Sequence, residues 1–401
     1  MNINKIFRTA IEKRASDVHL VHGLPPVLRI DGKLFILDSS SFEVTPLLSG
    51  QEKFVDPSED LEKEEKNDDN LSPEKYTFSD DGELVQKNTL SPKISNSKIV
   101  TSEIIKKLIV GILSKEQLDR FKEEKDCDFS YQFGKFRFRV NVSYEKENIK
   151  LVARIIGDKQ PTLEEIDMPK QIYNLLNLKQ GLILITGPTG CGKSTSLAAM
   201  INYINEVRSC NIITLEDPIE FIFKPNKSII TQRQLGTDMP TFASGLKHIL
   251  RQDPNVIMVG EMRDLETIST AITLAETGHL VLATLHTCNA SQTIDRIIDI
   301  FPPYQQNQIK SQLSMILSAV ISQTLISRKG GGQIAVREIL INNPAVSNLI
   351  REQKIAQIKS IIETHSKVGM ISFERSIKDL YERGLVEADE ANSFLNNKLL
   401  V

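Results

Sequence analysis

The 401-residue sequence has no tryptophan, and aromatics make up only 6% of it. It also has no cluster of basic residues. A surface that stacks bases and tracks a phosphate backbone needs both, so a role on nucleic acid is not expected. No apolar run approaches the roughly 20 residues of a membrane-spanning helix. The first twelve residues lack the apolar core of a signal segment, so export is not expected. The four cysteines, Cys127, Cys191, Cys210 and Cys288, form no Cys-x-x-Cys pair. That excludes a disulfide framework and a cysteine-rich zinc element, and it fits a reducing cytoplasm.

What is present is ordinary for a soluble enzyme: 40% hydrophobic residues, 25% charged, and a length suited to two or three domains. The formal charge is −3, but it is unevenly spread. Residues 51–90 hold 13 acidic residues and 5 lysines, so the rest of the chain carries about +5. The wider stretch 46–97 is rich in Glu, Asp, Lys, Ser, Asn and Pro. Its apolar residues are too sparse to offset the entropy of ordering it. It is expected to be a disordered acidic insertion.

The pattern on either side predicts an α+β domain over about 1–160. A short helix comes first, and a strand follows over Ser16–Leu20. Val27–Ile30 and Lys33–Leu37 form a hairpin around Asp31-Gly32. Helical spacing resumes at Ile104, Leu108, Ile109 and Ile112, and again over Glu116–Glu124. Alternating strands follow over Phe129–Tyr144 and Leu151–Ile156. From 161 to 401 short apolar runs alternate with helical segments: Leu182–Thr186, Ile212–Thr214, Val256–Val259 and Leu280–Leu285. This predicts a largely parallel sheet in an α/β domain. From about 302 onward the chain reads as mostly helical.

Gly187-Pro-Thr-Gly-Cys-Gly-Lys-Ser194 matches Gly-x-x-x-x-Gly-Lys-[Ser/Thr]. Gly187, Gly190 and Gly192 let the backbone of Pro188, Thr189 and Cys191 curl around phosphate oxygens. The helix beginning at Lys193, Ser194 and Thr195 aims its positive end at the anion. Lys193 would reach the β- and γ-phosphates, and Ser194 would give a hydroxyl to Mg2+. An apolar strand before the loop and a helical segment after it support the match.

Other candidates lie at strand ends. Val256–Val259 leads to Glu261. In phosphate-loop folds such a strand lies beside the loop strand and directs its acid to Mg2+ or the attacking water. Glu216, with Asp217 and Glu220, could hold metal-bound water or orient a nucleophile; a simple turn is the other reading. His279 and His286 bracket Leu280–Leu285 and could report on the γ-phosphate. Cys191, beside Lys193 and a helix N-terminus, is expected to have a lowered thiol pKa. Alkylation would then inactivate the protein, with ATP protecting it.

Together these motifs resemble the type II/IV secretion ATPase superfamily. Its boxes appear in order: the phosphate loop, Ile213–Glu220, Gly260–Asp264 after the Val256 strand, and Thr277–Thr287. Within it the chain looks most like the type IV pilus retraction ATPase family. Ala15–Leu20 and Gly23–Lys33 match that branch's opening. Ala345–Glu352 and Gly369–Phe373 resemble its late signatures. The chain departs at Ser347, where the family has Arg, and at Cys288, where it usually has Asn.

The resemblance implies a RecA-like phosphate-loop ATPase domain behind a small, PAS-like N-terminal domain. It implies an ATP- and Mg2+-dependent homohexamer at the cytoplasmic face of the inner membrane, acting on a pilus platform protein. Catalytic roles fall on Glu261, Glu216, Lys193 and His286. Mg2+ falls to Ser194, Glu216 and Glu261, partly through water. Arg137, Arg139 and Arg154 would approach nucleotide, a role that suits the forked, always-charged guanidinium. An assembly or type II secretion ATPase is the alternative within the superfamily. A nucleotide-binding scaffold and a nucleic-acid translocase are the alternatives outside it.

Overall fold

A computed structural model describes residues 2–30, 33–38, 43–46, 76–78, 84–86, 99–134, 136–156 and 160–399. The chain divides into two units, Met1–Ile156 and Gly157–Val401. Among the described residues of the first, nine strands follow the helix Ile3–Glu12. They are β1 (Asp17–Leu20), β2 (Val27–Ile30), β3 (Lys33–Leu37), β4 (Val44–Pro46), β5 (Tyr76–Phe78), β6 (Leu84–Gln86), β7 (Asp126–Phe133), β8 (Phe136–Glu145) and β9 (Asn148–Ile156). Seven of them form one antiparallel sheet, in the order β4-β3-β2-β1-β9-β8-β7. Phe7, Ile105, Ile109, Phe129 and Phe138 fill its core. The helix Lys115–Glu124 opens on a reciprocal cap between Ser114 and Gln117, which satisfies two otherwise orphaned N–H groups.

Within 46–97 the described residues are Pro46 and the antiparallel pair β5/β6. Tyr76-Thr-Phe78 and Leu84-Val-Gln86 are the β-prone runs in that block, which is why a strand pair forms where none was expected. The expectation of disorder otherwise lies outside the described residues.

The second unit carries β10 (Gly181–Thr186), β11 (Asn211–Glu216), β12 (Ile229–Gln234), β13 (Val256–Val259), β14 (Leu280–Leu285), β15 (Leu317–Ser327) and β16 (Gln333–Ile341). The sheet order is β12-β11-β13-β14-β10-β15-β16, parallel except for the antiparallel β15/β16 pair. Alternate residues feed two cores. Leu182, Leu184, Ile257 and Val281 pack with Ile268 and Ile272 on one face. Ile183, Ile185, Ile212 and Met258 pack with Leu197 and Ile201 on the other. The central strands are therefore buried on both sides, which explains their unbroken apolar runs.

The second unit adds to or corrects the sequence reading at three points. The region from 302 is mostly helical as expected, but β15 and β16 form a long hairpin inside it, between the helix Pro303–Ile316 and the helices from Pro344 on. Val320-Ile321 and Val336 supply β-branched pattern, and Gly330–Gly332 allow the turn, all three at positive φ. The strand β12 was not anticipated; it is a half-exposed edge strand. And β13 does not lie beside β10: β14 separates them.

Candidate nucleotide site

The wholly buried strand β10 delivers the chain to Gly187 at the carboxyl edge of the parallel sheet. At Gly187 φ is +142°, and a Cβ there would run into the Gln323 carbonyl oxygen and the Cys191 sulfur. Only glycine fits. Gly192, at φ +84°, is the left-handed residue that turns the loop into the helix Lys193–Val207. No side chain caps that helix, so its first N–H groups are presented to a ligand. Lys193 Nζ donates to the Gly187 carbonyl at 2.8 Å and the Pro188 carbonyl at 2.9 Å. The ammonium is thus folded over its own loop.

The loop is held from β15. Gln323, buried, donates from Nε2 to the Cys191 carbonyl at 2.7 Å and accepts from the Ser196 hydroxyl at 2.9 Å. Next to it the Thr186 and Ser322 hydroxyls share a hydrogen bond of 2.8 Å. Sequence reading missed Gln323 because its strand was taken for helix. The β-branched residues Val320, Ile321 and Thr324 were the available signal.

A cavity of about 450 Å³ adjoins the loop, lined by Gly192, Thr195, Gln323, Asp167, Arg328 and Arg337 among others. Arg337 lies on β16, and its terminal nitrogens donate to the carbonyls of Ile166 at 2.9 Å and Asp167 at 3.0 Å. Burial pushes its pKa down to about 10. Asp167 in turn grips Arg383 through both oxygens at 2.8 Å. That bond holds its carboxyl below the usual range. These residues also went unread, because nothing local in sequence links positions about 170 and 216 apart.

Across β14, Glu261 follows β13 by two residues. Its Oε1 pairs with Arg263 Nε at 2.8 Å and its Oε2 meets His286 Nε2 at 3.3 Å. The turn is pinned by Met262 N–H to the Thr284 carbonyl at 3.0 Å and by the Thr284 hydroxyl to the Gly260 carbonyl. The fold therefore brings Glu261 and His286 together, a contact that the sequence reading had not paired.

Other candidates fall elsewhere. Glu216 ends β11, three strands from β10, a lateral spacing of roughly 14 Å at about 4.8 Å per strand. Its carboxyl accepts from the Thr214 hydroxyl at 2.6 Å and Gln232 Nε2 at 2.9 Å, rather than meeting Lys193 or Ser194. Burial raises its pKa, against those hydrogen bonds.

His279 is a correction. Its carbonyl accepts from Gly181 N–H at 3.0 Å, and Leu280 registers with Gly181. It therefore sits at the far end of a six-residue strand, roughly 20 Å from the loop at about 3.3 Å per residue. Its Nδ1 lies 2.9 Å from the Leu274 carbonyl, where it serves a helix end. Sequence order puts His279 before its strand and His286 after it, so in a parallel sheet only His286 shares the loop's edge.

Cys191 is a second correction. Its side chain is buried, and desolvation raises the thiol pKa; the Lys193 ammonium at 3.9 Å opposes this less strongly. The exposed Cys288 is the accessible thiol. We expect native iodoacetamide labelling, read by peptide mass spectrometry, to be about tenfold faster at Cys288 than at Cys191. Faster labelling of Cys191 would contradict the burial argument.

Arg137, Arg139 and Arg154 belong to the first unit, on β8 and β9, with Arg139 and Arg154 in register. Among the described residues no group of three or more His, Cys, Asp or Glu could hold a metal ion. Mg2+ does not need one: it keeps several waters and takes one or two protein oxygens plus phosphate, and the Ser194 hydroxyl at the helix start fits that role.

The sequence model of the type II/IV secretion system proteins matches residues 67–390. The chain belongs to that family. It is 38% identical over 392 residues to the type IV pilus retraction ATPase PilT of Pseudomonas aeruginosa, covering 98% of this chain and 97% of that protein. It is 44% identical over 300 residues to a twitching motility protein of Neisseria gonorrhoeae, covering 74% and 80%. A crystal structure of the pilus retraction motor PilT with bound ADP superposes with a TM-score of 0.76 at 38% identity, covering 98% and 96%.

Proposed function

We propose that this chain is an ATP-hydrolysing motor that powers retraction of a type IV pilus. It works as a homohexamer at the cytoplasmic face of the inner membrane on a platform protein. The observation that carries the reading is a glycine-dependent phosphate loop sharing its sheet edge with the Glu261–His286 pair, in a chain similar to PilT from end to end. No helix among the described residues is long and apolar enough to cross a membrane, so contact with the membrane would be peripheral.

The residues take these roles. Lys193 exchanges its two loop carbonyls for β- and γ-phosphate oxygens, and the uncapped helix start binds the same anion. Ser194 would hold Mg2+, which when bound would supply charge stabilisation to the transferred phosphoryl group and its ADP leaving group. Glu261 polarises the attacking water, with His286 on its second oxygen sensing whether phosphate is present. Glu216, held by Thr214 and Gln232, takes no direct part and would act only by fixing the end of β11. Arg137, Arg139 and Arg154 supply cationic charge to the nucleotide.

The test is a strain lacking this protein. We expect more and longer surface pili by electron microscopy and loss of twitching. A bald strain would instead identify an assembly ATPase, and loss of secretion with normal pili a type II secretion ATPase.

A further inference from the structure

We infer that Asp17 is a positioning residue that holds Arg154 for an anion of the nucleotide-phosphate class. The inference rests on the reading above that Arg154 serves the nucleotide. It starts from register in the first unit's sheet. Asp17 registers with Arg29 on one side and with Arg154 on the other, and Arg154 registers with Arg139 on the next strand. Residues directly opposite on adjacent strands share a face. Arg29, Asp17, Arg154 and Arg139 thus form one row across β2, β1, β9 and β8, with three guanidinium groups to one carboxylate.

Asp17 is 6% exposed, and a carboxylate so buried is costly unless it is paired. Its Oδ1 accepts from Arg154 Nε at 2.9 Å. Its Oδ2 accepts from the Ser16 hydroxyl at 2.9 Å and lies 3.8 Å from Arg29 Nε. The bond to Arg154 engages Nε, not the forked terminal amino groups, and that side chain stays 68% exposed. A guanidinium gripped at Nε loses rotational freedom while keeping the fork that matches phosphate oxygens. Arg139 lies directly opposite on β8, on the same face of the sheet. His19 lies two residues along on the same strand face. Burial lowers its pKa, and Arg29 and Arg154 lower it further against Asp17.

The test uses the full chain and reads kcat, KM and melting temperature for ATP hydrolysis in Asp17→Asn, Arg154→Ala and the double variant. Asp17→Asn is expected to lower kcat about tenfold with KM within about twofold and melting nearly unchanged. Arg154→Ala is expected to lose at least as much, and the double variant no more than Arg154→Ala alone. Additive losses would overturn the inference, since Asp17 would then act independently of Arg154. Wild-type turnover in Asp17→Asn with Arg154→Ala impaired would also overturn it, leaving the functional reading intact. Wild-type turnover in Arg154→Ala would overturn the reading on which it rests. If Asp17→Asn melts early, Arg154→Lys, which keeps the charge and removes Nε, becomes the readout. It should show the same tenfold loss, and full activity there would overturn the proposal.

Discussion

Lys193→Ala is expected to reduce ATP turnover by about 10²–10³-fold or more in a phosphate-release assay, with the fold and oligomeric state unchanged by scattering. The expectation follows from the site. Lys193 is half-buried at the start of an uncapped helix, and its present partners are two loop carbonyls. Removing it costs the fold little, because those carbonyls can take other donors. It costs the transition state a positioned charge, and losing one such preorganised group is worth about 3–4 kcal/mol. Glu261→Gln should fall by a comparable factor for a different reason. The amide keeps the shape of the carboxylate beside Arg263 and His286 but cannot orient water as a base. Nucleotide affinity should survive in Glu261→Gln and fall in Lys193→Ala, so a titration with fluorescent ADP separates the two roles. Wild-type turnover in either variant would refute the assignment.

Gly187→Ala is expected to abolish nucleotide binding and to destabilise the protein by about 2–3 kcal/mol or more. The added methyl meets backbone on one side and a buried sulfur on the other, at a φ that alanine rarely adopts. Neither neighbour can yield. The Gln323 carbonyl belongs to a central strand, and its side chain ties the loop to the helix through Cys191 and Ser196. A melting curve and the same titration check both effects. A variant that binds nucleotide with unchanged affinity would show that the loop can relax.

How much was legible follows from what each signal depends on. The phosphate loop, its preceding strand and its helix are consecutive in sequence, so their pattern was complete. The Glu261–His286 pair was half legible. Both strand ends were visible, while the contact needed β13 and β14 to be neighbours. The hairpin β15/β16 was misread because apolar residues dominate it, and short apolar runs suit a buried helix as well as a strand. Gln323 was lost with it. For Cys191 the local charges were right and the burial was invisible, and burial decided the sign.

By itself, then, the sequence determined the chemistry on offer: a phosphate cradle, a strand-end acid, a pair of histidines and an end-to-end likeness to one family. It also showed that the acidity sits in residues 46–97, outside those motifs. Tertiary structure decided which of these groups meet. It put β14 between the loop and Glu261, turned Glu216 toward Thr214 and Gln232, and set Asp17 between two arginines. The physical reason is register. Local composition selects strand or helix residue by residue. Which strand lies beside which depends on packing both faces of a sheet at once, and that information is spread over the whole chain.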